Sequence, residues 1–157
     1  MSILNFHAGI LSIYHLCEKE SEINLKLLST IHIDPLVLEE DCNSDILALS
    51  LDWNSRRNAP NQALEIAVSN SKGSVSTFSI TDSLIERTWN KEKCHEYEAW
   101  ITAFNAWDSN VIFTGGDDGL LKIFDRRSEY RYVINFQNFI LAVCIKPQIV
   151  IFEFEIN

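Results

Sequence analysis

The stretch FTGGDDGLLKIFDRR, residues 113–127, gathers three of the chain's five glycines around two adjacent acids. A phosphate cradle is the chemistry such a run could support, because glycine lets successive backbone N–H groups close on an anion. That site needs the glycines to open a helix, whereas LLKIFD alternates as a strand does. The run therefore reads as a tight hairpin, with Asp-Gly between two half-buried strands supplying the positive φ angles of a short turn. Metal chemistry has no support from spacing. His7, His15 and His32 are isolated near the amino end, and Cys17, Cys42, Cys94 and Cys144 form no C-x-x-C pair. Neither a metal nor a cofactor is expected, and the cysteines read as free cytosolic thiols. No G-x-S-x-G elbow marks a serine nucleophile.

The 157 residues, 46% hydrophobic and 11% aromatic, provide enough apolar material for a core. The formal charge of −9, with acids concentrated in 18–22 and 39–45, argues against a nucleic-acid partner. No basic segment precedes an apolar run at the amino end, so a cytoplasmic protein is expected. The longest uncharged stretch, 132–145, contains Asn135, Gln137 and Asn138 and falls short of the 18 or so apolar residues of a membrane span. No membrane partner is expected.

The elements that position the opening stretch recur. The pattern glycine, any residue, apolar, polar, any residue, aromatic begins at Gly9, Gly73 and Gly119, and each run after the glycine alternates in period two. Matching strands at 66–69 and 112–115 precede the second and third copies with the same 46-residue offset as their glycines. Farther upstream, LSLDW (49–53) and ITAFN (101–105) read as the innermost strands, and the growth of their offset to 52 is absorbed by a polar insert at 54–65. Fourth strands follow at 84–89 and 130–136.

Four short antiparallel strands repeating at this interval are the signature of an all-β, WD-repeat β-propeller, here incomplete. Two whole four-stranded blades are expected at 46–90 and 95–136, with part of a third at 1–38 that lacks its innermost strand. The segment 137–157 reads as a non-repeat apolar tail, of a kind that alternative splicing or intron read-through produces. Resemblance to WD repeats places His95, Thr114 and Asp118 in the positions of that family's structural hydrogen-bond network. Phe124-Asp125 stands where the Trp-Asp dipeptide would, so the network keeps its His-Thr-Asp part and loses the indole donor. The same trio has the residue types of a catalytic triad. A blade's buried network faces its neighbours, however, and a nucleophile must face a cleft. Asp117 reads as a turn acid.

The run HEYEAWITAFNAWDSNVIFTGGDDGLLKIFDRR, residues 95–127, together with LSLDW, resembles the diphthine methyltransferase family, WD-repeat proteins of diphthamide biosynthesis. Residues 98–104 and 115–127 carry the most specific likeness. The resemblance implies hydrolysis of the methyl ester of methylated diphthine on elongation factor 2, the expected protein partner, to give diphthine. It transfers no nucleophile or base to any position here, so the catalytic residues stay unassigned. It also implies further blades, so the chain reads as a fragment or truncated isoform. The alternatives are a non-catalytic WD-repeat interaction scaffold and an inactive truncated product of the esterase gene.

Overall fold

The structure, a computed structural model, describes residues 2–7, 9–19, 22–33, 46–54, 63–81, 84–128, 131–135, 142–144 and 149–151. Strands and turns make up the described residues, without an α-helix among them; hence no described helix is long and apolar enough to cross a membrane. The strands β1 (Ser2–His7), β2 (Ile10–Lys19) and β3 (Glu22–His32) form an antiparallel sheet in that order. A second sheet runs β4 (Ala48–Trp53), β5 (Leu64–Asn70), β6 (Val75–Ile80) and β7 (Ile85–Lys91). A third runs β8 (Ile101–Phe104), β9 (Val111–Gly115), β10 (Leu120–Asp125) and β11 (Arg131–Asn135). Each strand pairs with its neighbour in sequence, which is the meander of a propeller blade, and the fold is an incomplete all-β propeller. Two short strands, β12 (Ala142–Cys144) and β13 (Ile149–Ile151), pair within the tail; the rest of the tail and Phe136 lie outside the described residues.

The repeated glycine has one physical reason in all three copies: Gly9, Gly73 and Gly119 sit at φ 75°, 71° and 68°, a left-handed conformation that costs any residue with a Cβ. The polar insert ends earlier than its composition indicates. Leu64 and Glu65 belong to β5 and pair with Ile80 and Ser79, while 55–62 lie outside the described residues.

Strand alternation builds two distinct inter-sheet cores. From the second sheet, Ile66, Val68, Phe78, Ile80 and Ile85 pack with Leu11, Ile13 and Ile33 of the first sheet and its turn. The other face sends Ala67, Val75 and Trp89 against Phe104, Ile112 and Phe124 of the third. Trp89 and Phe124 rings lie 6.0 Å apart, tilted by 54°. Burial of each such large side chain is worth about 1.5–3 kcal/mol. Because β5 and β6 are covered on both sides, they are buried along most of their length, whereas β9 and β10 alternate between buried and half-buried residues. The innermost strands are also joined across sheets: Asp52 accepts from the Phe104 backbone N–H at 2.9 Å, and Ser50 from that of Thr102 at 3.4 Å.

Candidate functional site

His95 lies in the segment between β7 and β8, and the preceding sheet fixes its place. Its backbone N–H and the Cys94 thiol both donate to the carbonyl of Gly73. A Cβ at Gly73 would collide with the carbonyl oxygens of His95 and Tyr97, so close backbone approach joins positive φ as a reason for glycine there. Gly116 has a different reason from the one its sequence suggests: its φ is not positive, yet a Cβ would sit 2.7 Å from the His95 ring and from Glu98 O. Of the glycines around the acid doublet, only Gly119 supplies the positive φ.

Against Gly116 the His95 ring bridges the β9–β10 turn and strand β9. Nδ1 lies 2.7 Å from Asp118 Oδ1 and Nε2 lies 3.1 Å from Thr114 Oγ1. A carboxylate only accepts, so Nδ1 carries the proton and donates to Asp118, and Nε2 accepts from the Thr114 hydroxyl. Asp118 also accepts from the backbone N–H of Leu120 at 3.2 Å and from Lys122 Nζ at 3.1 Å. Lys122 Nζ in turn donates to Cys94 O, closing a loop back to the segment that holds His95. Lys122 is thus a donor that sequence reasoning missed: the indole is absent, and Phe124 packs on Trp89 instead.

Burial sets the protonation of this cluster. Desolvation lowers the pKa of His95 from its ordinary value, against the opposing pull of Asp118, and keeps the ring neutral. Burial works against ionisation of Asp118, but the hydrogen bonds from His95 and Lys122 outweigh it and hold the carboxyl below its usual range. The Cys94 thiol is pushed up to about 11 by burial, so it is no nucleophile.

Acid, imidazole and hydroxyl thus stand in the order of a nucleophilic triad, but Thr114 is wholly inaccessible, at 0% exposure. A hydroxyl that no substrate can reach performs no attack. The arrangement suits a brace that ties the β9–β10 turn to the segment preceding β8. The equivalent turn of the second sheet has Lys72 where the third has Asp118, 46 residues on. It is held by Asn70, whose side-chain oxygen accepts from the backbone of Lys72 and Ser74 at 3.0 Å each.

A second polar cluster spans the two sheets. Arg126 donates to both oxygens of Glu65 at 2.9 and 2.8 Å, to Thr77 Oγ1 at 3.1 Å and to Ser109 O at 3.0 Å, with its guanidinium 5.6 Å from the centre of the Phe104 ring. Desolvation raises the Glu65 pKa, and the Arg126 contacts reverse this to a net lowering. Sequence reasoning assigned Glu65 to a loop and gave Arg126 no role. Neither residue type nor spacing signals a pair 61 positions apart.

Exposed groups gather at the end of the third sheet where the β7–β8 segment and the β9–β10 turn meet. The Asp117 backbone N–H donates to Glu98 O at 3.1 Å, and Glu96, Tyr97, Trp100 and Asp117 are exposed nearby in the chain. Trp107 is exposed in the β8–β9 connection, at the opposite end. Among the described residues no group of His, Cys, Asp and Glu could hold a metal ion; Cys17 and Cys94 are free thiols.

No protein-family model matches the chain. It is 33% identical to diphthine methyltransferase of Homo sapiens over 143 residues, covering 87% of this chain and 29% of that protein. The corresponding homolog of Dictyostelium discoideum is 37% identical over 118 residues, covering 74% of this chain and 28% of that protein. Over most of its own length the chain is similar to the diphthine methyltransferase family. It spans less than a third of the length of these relatives. A DDB1- and CUL4-associated factor 11 homolog of Caenorhabditis briggsae is 26% identical over 102 residues, 58% of this chain and 18% of that protein. The two runs that carry the diphthine methyltransferase resemblance, 98–104 and 115–127, include β8, the brace residue Asp118, the β9–β10 turn, β10 and the sheet-bridging Arg126.

Proposed function

We propose that, in a chain of the relatives' full length, this protein hydrolyses the methyl ester of methylated diphthine on elongation factor 2, yielding diphthine for the next step of diphthamide biosynthesis. The likeness to diphthine methyltransferases over most of the chain carries this reading. In it the His95–Thr114–Asp118 network is the structural brace of a WD-type blade, and the nucleophile or activated water is positioned by residues other than these. The exposed end bearing Glu96, Tyr97, Trp100 and Asp117 is the face offered to a protein substrate, cytoplasmic as elongation factor 2 is. The 157-residue chain alone turns over poorly, because three sheets supply few of the walls that position a protein-borne ester. The test is to delete the gene and examine the diphthamide-site peptide of elongation factor 2 by mass spectrometry. Accumulation of the methyl ester, reversed by re-expression, supports the proposal; unchanged peptide in the deletion strain opposes it.

The 26% likeness to a DDB1- and CUL4-associated factor favours a second reading, a non-catalytic interaction scaffold. That reading expects the deletion to leave the methyl ester unaltered.

A further inference from the structure

Lys122 carries an ammonium into the contact between sheets, where the equivalent position of the second sheet, 46 residues earlier, has the hydroxyl of Ser76 bonded to Asn90 at 2.7 Å. The Lys122 side chain is 9% exposed, and burying a cation costs far more than burying a hydroxyl unless its partners compensate it. Those partners are Asp118, at 3.1 Å, and the carbonyl of Cys94. The long stem of lysine thus adds a bond to the main chain at the start of the segment 94–100.

That segment is fixed along its backbone. The Cys94 thiol and the His95 N–H meet Gly73 O at 3.0 Å each, and the Glu96 N–H donates to Asp118 at 3.4 Å. Glu98 O accepts from the Asp117 N–H at 3.1 Å, and the Ala99 N–H donates to Asn70 O at 3.2 Å. The same segment carries two large side chains outward: Tyr97 is 59% and Trp100 51% exposed. Trp100 stands one position beyond the Ile101–Gly115 pair, at the end of β8. Leu47, at the same end of the second sheet, is 52% exposed although sheets pack on both faces of that sheet, so flanking sheets do not cover this end. Aromatic side chains on an already ordered backbone lose little freedom on binding, which suits them as anchors for a protein partner.

We propose that Lys122 is a positioning residue for the protein substrate: through Cys94 O and Asp118 it fixes the segment 94–100, whose Tyr97 and Trp100 grip the substrate away from the reacting ester. The identity of that substrate rests on the ester-hydrolase reading above. Contacts remote from the ester hold ground state and transition state alike, so their loss raises KM and leaves kcat in place.

Steady-state kinetics of a full-length chain on elongation factor 2 bearing methylated diphthine tests this, beside amide hydrogen exchange of the same protein. Lys122→Met and Trp100→Ala are each expected to raise KM about tenfold, the scale of a contact hot spot, and the double variant by about the same factor rather than the product, because Lys122 acts through the segment that bears Trp100. Exchange across 94–100 is expected to quicken in Lys122→Met while β9 and β10 keep their wild-type rates. An active wild type whose variants keep its KM, or KM effects that multiply in the double variant, overturns the positioning role alone. Faster exchange spread over the whole third sheet overturns it too, by making Lys122 a general prop. A wild type that releases no methanol overturns the hydrolase reading and the grip on that substrate with it. Circular dichroism checks folding; if Lys122→Met is unfolded, Lys122→Gln, with a shorter stem, takes its place under the same outcomes.

Discussion

Replacing Asp118 by Ala removes the group on which the brace converges. Its carboxylate, 4% exposed, accepts from His95 Nδ1 and Leu120 N through one oxygen and from Lys122 Nζ through the other. Alanine leaves the buried His95 N–H without its acceptor, at about 1–3 kcal/mol. It also leaves the Lys122 ammonium, 9% exposed, with only Cys94 O for compensation, and an uncompensated buried charge brings the total loss to about 3–5 kcal/mol. Asp118→Asn retains one acceptor for His95 but turns an amide donor toward Lys122, so its cost falls between wild type and alanine. Such losses are a large share of a domain's net 5–15 kcal/mol or so. Urea unfolding followed by tryptophan fluorescence measures both. An alanine variant within about 0.5 kcal/mol of wild type, the range of ordinary surface substitutions, would refute the brace.

The ion pair between sheets should behave as a unit: Arg126→Met or Glu65→Leu alone costs about 3–5 kcal/mol, and the two together cost much less than the sum, as a double-mutant cycle by urea unfolding will show. The two glycines of the last turn should differ in mechanism. Gly119→Ala, with open space but φ of 68°, loses about 1–2 kcal/mol, while Gly116→Ala forces the His95 ring aside and shifts its NMR resonances as well as lowering stability. The neutral His95 should also give the chain an acid-side slope. Its folded pKa is lowered, so the unfolded chain takes up the proton first; stability is full above the unfolded value of about 6.5 and falls as pH drops through it toward the folded value. Melting temperatures across that window should slope less in His95→Gln than in wild type.

What could be read from sequence was whatever depends on local periodicity. The 46-residue register of glycine and strand was legible because a turn at positive φ and a two-residue alternation each leave a mark within a few positions. The His95, Thr114 and Asp118 positions were legible only through family likeness, since nothing local distinguishes a buried threonine in a strand. Lys122 was invisible: a lysine on a strand ordinarily reads as solvated, and only the fold turns it inward onto Asp118 and Cys94 O. Glu65 and Arg126 escaped for the same reason, as their pairing depends on two sheets facing each other. The reason for Gly116 lay in the approach of a ring 21 residues earlier in the chain, which no turn rule encodes.

Isotope labelling tests directly the direction of methyl chemistry proposed for a full-length chain containing these blades. Elongation factor 2 bearing methylated diphthine is incubated with that protein in water enriched in oxygen-18, and the modified peptide is analysed by mass spectrometry. Hydrolysis by attack on the ester carbonyl predicts loss of the methyl group, one heavy oxygen in the product carboxylate and release of unlabelled methanol. A peptide that keeps its ester, or that gains a methyl group, would contradict the account.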